Sequence, residues 1–338
     1  DEIEVLSDSV TNYLEENGET IFDDGPPIVA ARAPARLDLM GGIADYSGSV
    51  VFECPLGRAA MVGCQKRSDD RLKVRSTWLE QLGEPCEVTV PLAGLRGEDP
   101  DQVLQNVRQT LSEDKTRRWA AYVLGAIPVL ECAGLLEVPG GANLLLWSDI
   151  PVGVGVASSA AIEVAAMYAV ARCFGLDLDG QKLASLAQTV ENQVVGAPCG
   201  IMDQVTSAIG EEGKLLALRC QPCEVLGHHR LPPGVGVFGI SSRVEHSVAG
   251  DPYTRARVGA FMGLRIIQEC IRQEGREPEG KDHYLCNISP LLYRDRYREN
   301  LPTVIDGSEF LETYGETTDE ITRVDPDKRY RVRAYTEH

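Results

Sequence analysis

The sequence predicts an α+β chain divided into two domains, and three observations carry that reading. The chain has 338 residues with 43% hydrophobic content, enough to bury a large core and more than one domain usually needs. Runs with strand character, around Val50, Leu72 to Val74, Val88, Leu144 to Trp147, Leu215 to Leu218 and Val235 to Ile240, mix in no fixed order with runs of helical periodicity. Those helical runs are Arg117 to Cys132, Ala160 to Phe174, Gln181 to Val195 and Arg255 to Arg272. A glycine-rich segment, Pro151-Val-Gly-Val-Gly-Val-Ala-Ser-Ser-Ala-Ala161, joins strand character to a long apolar helix.

The chain opens on Asp with no signal-peptide pattern, as expected of a processed product or a fragment. Ile3 to Leu14 reads as one amphipathic segment, and the acidic Asp23-Asp-Gly-Pro-Pro27 reads as a linker. Next comes Ala33-Pro-Ala-Arg-Leu-Asp-Leu-Met-Gly-Gly-Ile-Ala-Asp-Tyr46. Arg36 follows a proline-fixed turn and Asp45 follows a Gly-Gly turn, so restricted backbone holds two charges on either side of an apolar stretch. Alone, they could form no more than a surface ion pair worth under ~1 kcal/mol.

The Pro151 segment is the most informative. Gly153 and Gly155 let the backbone bend and bring N–H groups close to an anion, and the helix from Ala160, closed by Gly175, adds its positive N-terminus. Ser158 and Ser159 stand in its first turn, where a hydroxyl can hold Mg²⁺ or a phosphate oxygen. The plainer alternative is a strand-to-helix connection with a serine N-cap. No lysine follows the last glycine, which excludes a Walker loop, and Ser158 stands where the dinucleotide fingerprint needs a third glycine. If the segment cradles phosphate, neutralisation must come from Mg²⁺ and from an arginine elsewhere. A third constellation spans twelve residues, from Glu191 on a helix through Gly196-Ala-Pro-Cys-Gly200 to Asp203. The interruption can fold the second carboxylate back toward the first. One could then ligate a metal while the other orients or deprotonates a hydroxyl.

A net charge of −18, from 33 basic and 51 acidic residues, argues against nucleic-acid or anionic-membrane partners. No apolar run reaches the roughly 20 residues of a membrane span. The ten cysteines are scattered, and the single close pair, Cys220 and Cys223, reads as incidental, which suits reduced thiols in the cytoplasm. His228 and His229, adjacent in a strand, cannot both face one ion. His246 lies beside the segment that precedes Tyr253, near the candidate pocket.

Together and in this order, the three segments resemble the GHMP family of small-molecule kinases. The resemblance implies the GHMP kinase fold: a ribosomal protein S5 domain 2-like N-terminal domain and a ferredoxin-like C-terminal domain, here incomplete. Residues 1–26 are then an N-terminal segment and linker, 27–232 the ATP- and sugar-binding domain, and 233–338 a partial second domain. Ala33-Pro-Ala-Arg36 and Asp45-Tyr46 look like the first motif of the galactokinase-like sugar 1-kinases, and Cys199-Gly-Ile-Met-Asp-Gln204 looks like their catalytic stretch. The likeness implies ATP and Mg²⁺ as cofactors. Gly153, Gly155, Ser158, Ser159 and Ala160 would surround the phosphates, with Ser159 and Glu191 on the metal and Asp203 and Arg36 at the transfer. Asp45, Gly42, Ile43, Gly200 and Tyr253 would line the sugar. Trp119, with Tyr122, fits either a Trp-x-x-Tyr beside the adenine or a core aromatic pair. The sequence leaves Asp203 open to both roles, base or orienting acceptor.

Where galactokinases have Gly-Glu-His-Thr-Asp-Tyr, this chain has Gly41-Gly-Ile-Ala-Asp-Tyr46, so the partners of an exocyclic CH₂OH are replaced by Gly42 and Ile43. L-Arabinopyranose is galactopyranose without that group. The segment Gly41 to Gly48 is also similar to the L-arabinokinase branch of the family, as are Val195 to Gly200, Arg257 to Gly263 and Tyr284 to Pro290. The resemblance therefore implies L-arabinose as substrate. It leaves open galactose, or a catalytically impaired regulator that binds sugar and ATP, and leaves room for an N-terminal fusion domain. No third glycine-rich family motif follows Gly263. The expectation is of a shortened member with an exposed core face and low stability.

Overall fold

The computed structural model describes residues 21–42, 44–112, 114–242 and 251–337. The segment Ile3 to Leu14, Ile43 and His246 thus lie outside the described residues. Strands β1 (Ile28–Met40), β2 (Val50–Lys66), β3 (Arg71–Ser76), β4 (Glu87–Pro91), β5 (Ala142–Ser148), β6 (Lys214–Arg219) and β7 (Glu224–Arg230) form one sheet. The order is β4-β3-β5-β2-β6-β7, with β1 on the other edge of β2. Only β3 and β5 run parallel. Strand β2 is long enough to serve two neighbours on one edge: Ala60–Lys66 pair with β5 and Val50–Glu53 with β6. On β3, Leu72 and Val74 alternate inward, whereas β5 is buried along most of its length.

Helix α1 (Pro100–Ser112), α2 (Ala126–Cys132), α3 (Ser158–Cys173), α4 (Gly180–Thr189) and α5 (Met202–Ile209) complete this region. Helix α3 packs on β1 and β2, and its Val164, Ala165, Met167 and Val170 join Val62, Leu72 and Leu144 in the main core. The run Arg117 to Cys132 is not one helix but three short pieces, with the last break at Gly125, which packs against Val190 and Val194. The run Gln181 to Val195 begins as α4 and widens into a π-turn, Val190–Val195.

Strand β1 replaces the turn expected at Pro34. Proline fits because β1 pairs only with β2, and the register shifts between Pro34 and Arg36. Arg36 is therefore a strand residue beside a bulge. The linker expected at residues 23–27 is docked: Gln65 donates to the carbonyls of Asp23 and Pro26, and Ile21 and Phe22 are buried against Leu145. Val235–Ile240 alternates like a strand yet forms none. Phe238 and Ile240 are 89% and 95% exposed, and no described strand lies beside them to satisfy a ladder.

The C-terminal region is mainly helical. Helix α6 (Asp251–Gln273) contributes Val258, Met262, Ile267 and Ile271 to a second core with Tyr297, Phe310, Val324 and Tyr330. Helix α7 (Gly307–Tyr314), helix α8 (Val332–Glu337) and a two-residue ladder of β8 (Ile305–Asp306) with β9 (Arg329–Tyr330) close it. Among the described residues, the strands of the implied second domain are reduced to this ladder.

Candidate active site

Arg36 is the hub. It is buried, and its Nε and Nη2 reach Asp203 Oδ1 at 2.8 and 2.7 Å while Nη1 donates to the Gly155 carbonyl at 2.9 Å. Its backbone N–H donates to Val156 O at 3.1 Å, so one residue stitches the glycine segment to the first turn of α5. Ser207 adds a bond from α5 back to Pro34 O, 2.8 Å. The pairing of Arg36 with Asp45 at the surface does not occur. Both groups are buried, and the carboxylates on the guanidinium are Asp203 and Glu53.

In the glycine segment, Gly153 and Gly155 have φ of +75° and +80°, and Ala157 follows in the same left-handed region at +57°. Alternating handedness of this kind turns successive N–H groups inward. A non-glycine residue held there stores strain, a feature concentrated at functional sites. Ala157 is the N-cap of α3 and offers no side-chain bond. The serine N-cap reading is thus replaced: Ser158 and Ser159 lie inside the first turn, and the helix end is left without a capping side chain. Ala160 is fully buried and presents no exposed surface.

Glu191 lies in the π-turn and is buried. It accepts a hydrogen bond from the Ser159 hydroxyl and another from Gln204 Nε2 at 2.6 Å. Glu163 of α3 lies beside it, sharing Gln204 at 3.2 Å. Burial pushes both carboxyl groups up, Glu163 well above the usual range, with the charge of Glu191 beside it adding to the rise. Glu163 Oε1 and Gln204 Oε1 are buried without a partner. Oxygen donors with unmet capacity fit Mg²⁺, which takes one or two protein ligands and fills the rest with water and phosphate. Among the described residues no group of three or more His, Cys, Asp or Glu could hold a metal without such help. The Trp119 indole N–H is also buried and unpartnered, as a base-binding donor would be, although its ring packs on the main core. Tyr122 faces Glu191 and Glu163, which with burial hold its hydroxyl protonated.

Asp45, Gly200 and Tyr253 gather at the same centre. Asp45 begins a short 3₁₀ turn, is buried, and accepts from the Tyr46 N–H at 2.7 Å. It rests on Gly200, where any Cβ would land inside its carboxylate. Burial, then the Asp203 charge, raises its pKa to about 7. The Tyr253 ring stands edge-on to Tyr46 at 6.1 Å, and its hydroxyl is raised by burial and by Asp45. Gly42 is not part of this cluster: it is exposed, and its N–H bonds Asp38 Oδ2 at 2.6 Å.

Several site residues carry no motif signal. Glu53, inside the apolar run of β2, is fully buried 3.2 Å from Arg36 Nε, and burial raises it to about 9. A charge in an apolar strand was the one available hint, as Glu163 was on α3. Arg257 of α6 donates to the Cys199 carbonyl at 3.1 Å and pairs bidentately with Asp319 at 2.7 and 2.8 Å. Their separation of 62 residues leaves no local trace. His228 contacts the Ile209 carbonyl at 2.9 Å, and all ten cysteines are free, Cys220 and Cys223 included.

Residues 121–211 match the model for the GHMP kinases N terminal domain. The chain is 37% identical over 361 aligned positions to an L-arabinokinase of Arabidopsis thaliana, covering 94% of this chain and 35% of that protein. It is 36% identical to a galactokinase of Chloroflexus aggregans, covering 73% of this chain and 57% of that protein. The chain thus spans about a third to little more than half of the relatives it matches. The crystal structure of Lactococcus lactis galactokinase complexed with galactose superimposes with a TM-score of 0.61 at 22% identity, over 77% of this chain and 62% of that one, a likeness of fold. No described helix is long and apolar enough to cross a membrane.

Proposed function

Because the chain belongs to the GHMP kinase family, we propose that it transfers the γ-phosphoryl group of ATP to the anomeric hydroxyl of an aldose, L-arabinose first and galactose second. The observation that carries this is the single guanidinium of Arg36 joining Asp203 to the Gly155 segment. A catalytic carboxylate and a phosphate cradle are thereby held at one point. In this reading residues 27–232 bind ATP and sugar, and residues 233–338 form part of a second domain. The N-terminus of α3 and the segment from Gly153 bind the phosphates, and Trp119 lies toward the adenine. Ser159 and Glu191 would hold Mg²⁺, which supplies charge neutralisation on the phosphates when bound. Asp45, Gly200 and Tyr253 orient the sugar so that its anomeric hydroxyl meets Asp203. Asp203 accepts or orients that proton, and Arg36 stabilises charge developing on the transferred group. Positioning and electrostatics supply most of the acceleration, since a loose transition state asks little covalent work of the protein.

The preference for L-arabinose rests on sequence. Gly42 and Ile43 offer no polar side chain to a CH₂OH, and a galactose hydroxyl left unpaired in a closed sugar site would cost about 1–3 kcal/mol. The likeness to an L-arabinokinase over 94% of the chain supports the same substrate. Assays with ATP, Mg²⁺ and each sugar test it: greater kcat/KM for L-arabinose is expected, and turnover of galactose alone overturns the assignment. Calorimetric binding of ATP and sugar without product would instead mark a regulator.

A further inference from the structure

The sugar side of the site holds a buried ion pair that the transfer itself does not use. Arg257 and Asp319 are 6% and 2% exposed at their side chains, joined by two parallel hydrogen bonds, the geometry in which an arginine is most firmly oriented. The remaining Arg257 nitrogen donates to the Cys199 carbonyl, the peptide leading into Gly200. Its guanidinium also lies 5.3 Å from the centre of the Tyr46 ring and 5.5 Å from that of Phe261. Asp319 is itself fixed, accepting from the Thr322 hydroxyl at 2.5 Å and from the Ile321 N–H at 3.2 Å. Asp45 sits between the two groups that Arg257 grips, Tyr46 on one side and Gly200 on the other.

We infer that Arg257, locked by Asp319, is the positioning residue of the sugar subsite, fixing the Tyr46 turn and the Cys199–Gly200 peptide that together hold the Asp45 carboxylate. The C-terminal region thereby completes the sugar subsite without touching the phosphate side. This rests on the sugar kinase reading. A merely structural ion pair would join α6 to the segment around Asp319 and affect all functions alike. The contacts to Cys199 and Tyr46 instead direct the effect to one substrate. The charge of Arg257 also favours ionised Asp45, which is otherwise faced by Asp203 from α5, Arg36 from β1, Tyr253 from α6, and Cys199.

The test is steady-state kinetics for both substrates, with thermal melting, on Arg257→Met, Arg257→Lys, Asp319→Asn and the control Ile267→Val, which trims the C-terminal core away from the site. Arg257→Met is expected to raise the sugar KM at least tenfold with the ATP KM within about twofold, and to move upward the pH at which sugar KM improves. Arg257→Lys keeps the charge but loses the fork, so it falls between. Ile267→Val lowers the melting temperature without moving the sugar KM. Sugar and ATP constants that shift together in step with melting temperature, or an unmoved sugar KM in all three variants of the pair, overturn the inference. Absence of aldose turnover by the unsubstituted protein overturns the functional reading instead.

Discussion

Residues 21–230 and residues 251–337 hold their shape by different means. The first region is a seven-stranded sheet whose ladders and one large core fix each strand from several sides. The second has a smaller core around Phe310, one two-residue ladder and short turns, with the Arg257–Asp319 pair at its border with the sheet region. The groups proposed to handle phosphate, Arg36, Asp203, Ser159 and Glu191, all stand on the first. The second carries Tyr253 and Arg257, proposed to act at the sugar. On the proposed reading, the difference teaches that transfer chemistry is built where ladders and a large core fix the chain from several sides, while recognition of the acceptor is shared with a region of smaller core.

The largest effect should come from Arg36→Met. It leaves the Asp203 carboxylate without its cation, and breaking a buried pair in this way costs about 3–5 kcal/mol. Chemical denaturation should detect that loss, and turnover should fall at least a hundredfold. Phe310→Ala should cost a comparable 3–5 kcal/mol but locally. Hydrogen exchange is expected to quicken across residues 251–337 while the β2–β5 ladder keeps its protection, and equal loosening of both regions would erase the contrast between them. Gly200→Ala puts a methyl where the Asp45 carboxylate lies. Sugar KM should rise by about tenfold or more, near 1.4 kcal/mol per decade, with ATP binding retained.

Glu53→Gln should have the smallest effect at pH 6, where both side chains are neutral in the folded protein, and a larger one in alkali. The Glu53 carboxyl is raised from 4.5 to about 9 in the folded protein, so the folded state holds a proton that the unfolded state releases. Its contribution is present in full below about 4.5 and is lost as pH rises through about 9. Asp45, raised from 3.8 to about 7, acts in the same direction over a lower window. Melting temperature should therefore decline with rising pH, and Glu53→Gln should flatten the upper part of that decline. An unchanged slope would remove Glu53 from the account.

Much of the backbone geometry of the proposed phosphate side was legible because it needs glycine. Gly153 and Gly155 take left-handed backbone angles, and the Gly196–Gly200 interruption returns the first turn of α5 to Glu191, where Gln204 beside Asp203 donates to it. Strand β1 was not legible, since Pro34 reads as a turn until its edge position and bulge are known. Val235–Ile240 misled in the opposite sense: period-2 alternation describes which face could be buried, but a strand also requires a neighbour. Glu53, Glu163 and Arg257 acquire meaning only from residues that the fold brings beside them. No spacing in the chain announces those partners.

The most direct measurement is a single-turnover assay with ATP, Mg²⁺ and L-arabinose, following aldose 1-phosphate by phosphorus NMR for the unsubstituted protein and for Asp203→Asn. The account predicts product from the first and a rate at least a thousandfold lower from the second, with ATP affinity unchanged. Equal rates from the two proteins would contradict it.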